Sequence, residues 1–326
     1  MHKSSAARLF SLAIATAVMA VAQFATPVSA QTVIKVGKSV PNPLAFAVLD
    51  IGNDAGIWAK HGIKLEIMNF GGDAKMQQAM VAGEIDFGLG SGPGIGFLAK
   101  GVPATVVGVI ANQPLSMGLV VGKNSTAKTV EDIKGKKLGV STNASLTYWL
   151  VRKLATLQGW GPNGLQTVPL GALPSNIAAL QSGQIEGFVI SASVGHQLQR
   201  KNEGRLLLRF GDYIGKFYTH VVFASNKIID TNPDQVKRFV QGWSDTVQFM
   251  KDNKADTVKF GKKITGYDDD IQSEEYDDVM PMMSVSMKFD PESTDVVAES
   301  LIDLEIAKTK IDLSKYYTDR FLPTVR

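Results

Sequence analysis

The sequence of 326 residues contains no cysteine. Disulfide bridges, cysteine nucleophiles, cysteine-ligated metal sites and lipid-modified N-terminal cysteines are therefore excluded. An excess of either charge is also lacking, since 34 Lys and Arg stand against 31 Asp and Glu, for a formal net charge of +3. This balance is unlike the clustered basic charge of nucleic-acid-binding proteins, so we expect no nucleic-acid partner.

Long apolar runs are absent except at the N-terminus, where Gln23 interrupts the run before it reaches the ~20 residues that span a bilayer. Lys3 and Arg8 precede the run, and Val28-Ser29-Ala30 follows it with the small residues of a cleavage site. This order predicts a signal peptide over residues 1–30 that is removed on export. We therefore expect a periplasmic protein without a lipid anchor.

The rest of the chain has the composition of a globular protein, with 44% hydrophobic residues overall, and its length suggests two domains. Strand-like and helix-like segments alternate from Val33 to Leu89, which is typical of a largely parallel α/β sheet. The same order recurs about a hundred positions later. The closest match is AMVAGEID at 79–86 against ALQSGQIE at 179–186. This internal repeat predicts two similar α/β lobes in tandem.

Each half of the repeat ends in a pair of apolar strands, and such strands are natural places for the chain to cross between lobes. We therefore expect two lobes joined by two hinge strands. Lobe 1 would comprise residues 31–116, lobe 2 residues 117–219, and residues 220–326 would return to lobe 1 with the C-terminal helices.

Six loops are candidates for a binding site, because ligands of open parallel sheets bind beyond the carboxyl ends of the strands. The loops are rich in Gly, Ser, Thr, Asn and Pro; they contain no Lys or Arg, and Asp73 is their only acid. Backbone N–H groups and hydroxyls at helix N-termini can hold an anion or a carbonyl without a cation. The same residues also suit ordinary helix caps and turns. The loops are residues 39–43, 71–73, 90–96, 141–145, 171–175 and 191–195.

No complete catalytic or metal-binding motif is found in the sequence. A phosphate-binding P-loop, a dinucleotide-binding glycine motif and a nucleophile elbow are all missing. His61, His196 and His220 show no metal-ligand spacing. The acidic run at residues 268–278 lacks the spacing and the glycine of a calcium loop, and it predicts a solvated helix face. We therefore expect no catalytic residue, no metal and no cofactor.

Five short motifs follow one another along the chain. They are GIWAKHGI at 56–63, QAMVAGEIDFG at 78–88, KGVP at 100–103, IKGKKLGV at 133–140 and ALQSGQIE at 179–186. In this order they resemble the periplasmic solute-binding proteins of the sulfonate, nitrate and taurine type, which are related to the thiamine-pyrimidine-precursor group. The resemblance implies a type II periplasmic binding fold, closure of two lobes around one solute, and delivery of that solute to an ABC permease with its ATPase.

By position, the resemblance implies that ten residues meet the ligand. They are Asn42, Ser91, Gly92, Asn112, Asn143, Ser145, Thr147, Ser191, Ser193 and Tyr218. Relatives often use a cation here, whereas these loops contain no arginine. Four aromatic side chains near the loops could stack on an aromatic or apolar carboxylate, or belong to the core: Phe46, Tyr148, Trp149 and Phe217. We expect the solute to be a small organic anion, such as an aromatic carboxylate or a sulfonate.

Two other functions remain open at this point. An exported sensor of the same fold would present its closed state to a membrane receptor, and the sequence does not separate it from a transport protein. A pyrimidine synthase on this fold needs a cysteine-rich, iron-associated motif, and the chain has no cysteine. We therefore expect a monomeric, non-enzymatic binding protein whose partners are a small solute, a permease and an ATPase.

Overall fold

The structure, a computed structural model, describes residues 31–41 and 43–325. The predicted signal peptide lies outside these residues. Two five-stranded mixed sheets form the framework, and helices cover their faces. The predicted α/β class with two similar lobes is confirmed, and the sheets are called lobe 1 and lobe 2 below.

Lobe 1 contains a sheet in which two strands run parallel to β1 and one late strand of the chain runs antiparallel to its neighbours. Residues 44–60 form two helices, because Gly56 adopts a left-handed φ of 70° between them. The elements of lobe 1 up to the first crossing are β1 (Thr32–Lys38), α1 (Leu44–Asp54), α2 (Ile57–Lys60), β2 (Ile63–Asn69), α3 (Asp73–Val81), β3 (Phe87–Gly90), α4 (Ile95–Ala99) and β4 (Ala104–Ala111).

Lobe 2 repeats this architecture. Its elements are β5 (Met117–Gly122), β6 (Lys137–Val140), α5 (Leu146–Leu157), β7 (Gln166–Pro169), α6 (Leu173–Gln181), β8 (Gly187–Ser191), α7 (Ala192–Arg200) and β9 (Gly204–Arg209). The chain then returns to lobe 1 as β10 (His220–Ser225). The strand orders are β2-β1-β3-β10-β4 and β7-β6-β8-β5-β9. The last strand of the first repeat, β5, therefore pairs in the sheet of lobe 2, and the last strand of the second repeat, β10, pairs in the sheet of lobe 1. This exchange ties the lobes together at two crossings.

Five helices complete the described chain: α8 (Asn226–Thr231), α9 (Pro233–Asp252), α10 (Lys254–Thr265), α11 (Asp269–Val279) and α12 (Pro291–Asp303). The apolar stripe of α9 packs on lobe 1, where the Phe239 ring stacks on the Phe87 ring at a centroid distance of 4.1 Å. Two later helices also reach lobe 2, since α11 packs on α7 and α12 packs on α5. The Trp149 indole N–H donates to Asp303 at 3.0 Å across the second of these contacts.

Each lobe has its own apolar core. Trp58 and Trp243 are fully buried in lobe 1, and Trp149 is fully buried in lobe 2. Of the helices within residues 31–41 and 43–325, none has the length and the apolar character needed to cross a bilayer.

Candidate functional site

A cavity of about 340 Å³ lies between the two sheets. It is found where the carboxyl ends of β1, β2 and β3 in lobe 1 face those of β6, β7 and β8 in lobe 2. All six loops singled out in the sequence contribute to its wall. The volume is within the range of small-molecule sites.

Most of the wall is apolar. The apolar side chains that line the cavity are Val40, Pro41, Pro43, Phe70, Met117, Leu146, Ala172, Leu173, Pro174, Val189, Ile190 and Val194. Among the described residues that line it, none is Lys or Arg, and Asp73 is the one acidic residue. Such a surface suits an organic molecule with an apolar body and a small number of polar groups.

Asp73 stands at the first position of α3 and is only 3% exposed. Its Oδ1 accepts the Ser91 backbone N–H at 3.1 Å, and its Oδ2 accepts the Ser91 hydroxyl at 2.8 Å. The Ser39 hydroxyl and the Leu146 backbone N–H lie near this carboxyl and act to lower its pKa. Burial raises the pKa of this carboxyl, while these four groups lower it. Because Leu146 begins α5, the carboxyl group of a lobe 1 residue lies near the helix N-terminus of lobe 2.

Hydroxyl groups surround the start of α5. Ser145 is the N-cap and accepts the Tyr148 backbone N–H at 3.3 Å. Its hydroxyl lies 3.0 Å from that of Ser141 and 3.1 Å from that of Thr147, and the Ser141 backbone N–H donates to Thr147 Oγ1 at 2.9 Å. This network satisfies the N-terminus of the helix locally, as an N-cap does.

A second buried carboxylate lies behind the cavity. Glu275 of α11 is 3% exposed and accepts the Leu44 backbone N–H, the first of α1, at 3.2 Å. The Gln272 side chain also donates to it at 3.4 Å, and the Ser193 hydroxyl of α7 lies near it and acts to lower its pKa. Burial raises the pKa of Glu275 to about 7. Glu275 therefore joins the first helix of lobe 1 to a helix of lobe 2, and the prediction that the whole acidic run is solvated is wrong at this residue.

His220 lines the cavity at the start of β10 and is 5% exposed. Burial lowers its pKa to about 4, against which a hydrogen bond to the Gly90 backbone acts weakly, so the ring is neutral at physiological pH. The ring packs edge-on against Phe46 at a centroid distance of 4.8 Å, and Nδ1 has no hydrogen-bond partner among the described residues.

The lobes touch at the mouth of the cavity. A Cβ at Gly72 would lie 2.5 Å from Thr142 Cγ2, so the lobe 1 loop passes directly over the lobe 2 loop at this point. On the neighbouring strand ends, Gly71 approaches the backbone of Ala172. The described conformation is thus one in which the two lobes are closed on each other.

The ten expected ligand residues fall into four groups. Ser91, Thr147 and Ser191 line the cavity. Ser145 and Ser193 are buried one layer behind them and form hydrogen bonds to Thr147 and Ser191. Asn42 lies outside the described residues.

The remaining four do not line the cavity: Gly92, Asn112, Asn143 and Tyr218. The Gly92 backbone N–H donates to the Tyr218 carbonyl at 2.9 Å, and the Tyr218 hydroxyl donates to the Asp290 carbonyl at 2.7 Å, so both residues hold the fold together. The Asn112 carbonyl accepts the Phe217 backbone N–H within the crossing segments. Asn143 is exposed to solvent.

The four aromatic side chains proposed for stacking do not line the cavity either. Phe46, Trp149 and Phe217 are fully buried in the cores, where the Trp149 and Phe217 rings contact each other at 4.6 Å. Tyr148 lies beside Arg152 on α5. Phe46, Trp149 and Phe217 therefore belong to the core, which was the alternative to stacking on a ligand.

Several residues of the site were not among the ten expected ligand residues. Ser39 and Asp73 line the cavity from two of the six loops, in which Asp73 is the only acid. Asn176 and His220 line the cavity from inside regular elements, and Glu275 lies behind it on a helix far along the chain. No local pattern marks the last three, because only the tertiary fold brings them to the site.

Comparison with known proteins gives one family and several relatives. The NMT1/THI5-like family matches residues 45–256. A Brucella abortus relative named as a binding protein is 26% identical over 225 residues, which is 68% of each chain. A Legionella pneumophila relative named 4-amino-5-hydroxymethyl-2-methylpyrimidine phosphate synthase is 22% identical over 293 residues, or 86% of this chain and 89% of the relative.

Among solved structures, the alkanesulfonate-binding protein SsuA of Xanthomonas axonopodis pv. citri bound to MOPS is similar in fold. The TM-score is 0.75 at 15% identity, and the match covers 89% of this chain and 99% of that one. This similarity confirms the two-lobed periplasmic binding fold implied by the sequence motifs.

Proposed function

The chain belongs to the NMT1/THI5-like family, and from this premise we propose that it is the solute-binding component of an ABC importer, acting in the periplasm. The observation that carries the proposal is the cavity between the lobes, which all six strand-to-helix loops enclose. A closed cavity of this kind requires the lobes to open for entry and exit, and two crossings between the sheets provide the hinge.

The solute would first contact one lobe and then be buried when the second lobe closes on it. Solute binding then shifts the population towards the closed form, since only that form offers both walls. A permease with its ATPase would recognise the closed pair of lobes and receive the solute. The alternative is an exported sensor, whose closed form would be recognised by a membrane receptor instead of a permease. Its lobes would close on the solute in the same way.

Binding without catalysis is proposed because the described residues of the wall offer no pair of groups for acid–base or nucleophilic work. Asp73 accepts the backbone N–H and the hydroxyl of Ser91, and His220 is neutral and lies against Phe46. The relative named as a synthase is the reason to test this point directly. We also propose that the protein acts as a monomer, as expected from the sequence.

The solute is proposed to be a small organic molecule with an apolar body. Relatives named for aliphatic sulfonates in Bacillus subtilis and Escherichia coli are the support for an organic anion, the class expected from the sequence. Apart from those names, the support is the size and apolar character of the wall.

Three measurements test the proposed function. Mass spectrometry of the molecules released when the natively purified protein is denatured should identify a bound solute. Thermal unfolding of the refolded protein with that solute should show stabilisation, which amounts to about 4 kcal/mol at a thousand times the dissociation constant. Deletion of the gene should abolish uptake of the same solute. Uptake that continues unchanged would favour the sensor, and conversion of the solute by the purified protein would contradict a binding role.

A further inference from the structure

The cavity wall contains a buried nitrogen atom, Nδ1 of His220, that has no hydrogen-bond partner within the described part of the chain. We propose that His220 determines which solute the cavity accepts, because its Nδ1 forms a hydrogen bond with a polar group on an otherwise apolar molecule. This inference rests on the proposed function, since it concerns the solute of the same cavity.

The position of His220 follows from the direction of β10. This strand runs antiparallel to β3, and Val221 pairs with Gly90, the last residue of β3. The first residue of β10 therefore lies beside the carboxyl end of β3, where ligands of open sheets bind. His220 lines the cavity there and is only 5% exposed. Its ring packs edge-on against Phe46, which offers no hydrogen bond.

Most hydroxyl groups of the wall, in contrast, are already paired within the protein. The Ser91 hydroxyl donates to Asp73 at 2.8 Å, and the hydroxyls of Ser141 and Thr147 lie 3.1 Å apart. The Ser191 hydroxyl lies 3.0 Å from that of the serine two residues further along the chain. These four hydroxyl groups therefore have partners before any solute enters.

Two other polar side chains of the wall also face protein groups. The Ser39 hydroxyl lies near the carboxyl group of Asp73. The Asn176 amide nitrogen donates to the Ala172 carbonyl at 3.1 Å, and its Oδ1 lies against β6, where a Cβ on Gly139 would clash with it. Among the described wall residues, His220 thus has the unpaired polar atom that a solute can satisfy.

The chemistry of the ring indicates what the solute should carry. Burial lowers the pKa of His220 to about 4, so at physiological pH the neutral ring has one donor nitrogen and one acceptor nitrogen. A hydroxyl group suits Nδ1 in either state, since it both donates and accepts. A buried polar atom left unpaired opposes binding. A solute with such a group should therefore bind better than an apolar molecule of the same shape.

The test compares benzyl alcohol with ethylbenzene, which has a methyl group in place of the hydroxyl. Titration calorimetry on the purified, refolded chain gives the ratio of their dissociation constants. In His220→Phe the preference for benzyl alcohol relative to ethylbenzene should fall about tenfold or more, because phenylalanine keeps a ring but has no polar atom. His61→Phe is the matched control, since His61 bonds Asp245 and does not line the cavity. Its ratio should equal that of the wild type.

Nitrogen NMR of the histidine-labelled wild type gives a second readout that does not require His220→Phe to fold. Benzyl alcohol should shift the Nδ1 resonance of His220 more than ethylbenzene does, because hydrogen bonding changes the shielding of this nitrogen. The resonance is the one missing from His220→Gln, which keeps a polar side chain and should retain more of the preference than His220→Phe.

An unchanged ratio in folded His220→Phe, or equal shifts with the two probes in the wild type, would overturn the inference and leave the proposed function standing. Failure of both probes to bind the wild type would instead count against the proposed cavity for organic solutes, and the inference would fail with it.

Discussion

The two lobes share one topology but present different chemistry to the cavity. In the repeat that aligns residues 79–86 with 179–186, Asp73 at the start of α3 corresponds to Leu173 at the start of α6. Lys38 at the end of β1 likewise corresponds to Val140 at the end of β6. Lobe 1 thus buries a charged residue at two positions where lobe 2 has an apolar residue, the half-buried Leu173 and the buried Val140. The shared loops form the cleft, to which both lobes contribute apolar and polar side chains, and Asp73 gives the lobe 1 wall a carboxyl group that the described lobe 2 wall lacks.

The lobes also differ in how their first helix begins. In lobe 2, α5 is capped by its own Ser145. In lobe 1, α1 follows Pro43 without a side-chain cap, and its first N–H is satisfied by Glu275 of α11. Lobe 1 therefore has a carboxyl group from the C-terminal helices at this helix start, whereas lobe 2 has the side-chain cap of Ser145. Exchanging residues between equivalent positions can test how far this asymmetry extends.

The largest effect is expected from Gly92→Ala, which gives lobe 1 the residue that lobe 2 has at the equivalent position, Ala192. A Cβ on Gly92 would lie 2.1 Å from the Tyr218 carbonyl oxygen, a backbone atom that cannot move aside easily. We expect Gly92→Ala to lower the free energy of unfolding by about 3 kcal/mol, the upper range for overpacking. Urea denaturation measures it. The reverse exchange, Ala192→Gly, should cost only about 1 kcal/mol, and equal losses would show that the lobes are equivalent here.

The next effect concerns Glu275 and pH. Burial raises its pKa from 4.5 to about 7, so the folded state holds this proton more tightly than the unfolded state does. The stabilising effect of the neutral carboxyl is full below pH 4.5 and is lost as pH rises through about 7. Relative to Glu275→Gln, the wild type should lose about 2 to 3 kcal/mol of unfolding free energy between pH 4 and 8. Parallel pH profiles for the two proteins would contradict this assignment.

A smaller loss is expected from the local cap of lobe 2. Ser145→Ala removes the acceptor of the Tyr148 N–H and should lower the free energy of unfolding by about 1 kcal/mol. Thermal unfolding of the ligand-free protein gives the value. Ser145→Asp, which restores a capping oxygen, should recover most of the loss, and no recovery would mean that the hydroxyl network rather than the cap is responsible.

The smallest effects concern affinity. Thr147 lines the cavity, and Thr147→Ala should weaken solute binding by about 1 kcal/mol or less through the loss of one hydroxyl. Asn143, in the same loop, is exposed and does not line the cavity, so Asn143→Ala should leave the dissociation constant unchanged. Calorimetric titration of both variants with the solute recovered from the protein distinguishes them. Equal effects would mean that Asn143 reaches the solute in another conformation.

The sequence predicts the lobes and the loops well because both are local. The match between residues 79–86 and 179–186 identifies the repeat, and strand ends rich in Gly and Ser identify the loops that line the cavity. Single side chains are predicted less well. Tyr218 is polar and adjacent to a crossing, but its hydroxyl bonds the chain near Asp290. Glu275 looks like part of a solvated acidic face and is buried only because α11 packs between the lobes.

The central claim is that the lobes close around a solute, and an interlobe distance tests it most directly. Because the chain has no cysteine, Glu84→Cys and Gln184→Cys place two unique labels on exposed, equivalent positions of the two lobes. Pulsed electron resonance on the doubly labelled protein would compare the solute-free, refolded state with the solute-bound state. We predict a changed and narrower distance distribution when solute is added. Identical distributions in the two states, with binding shown by calorimetry, would contradict it.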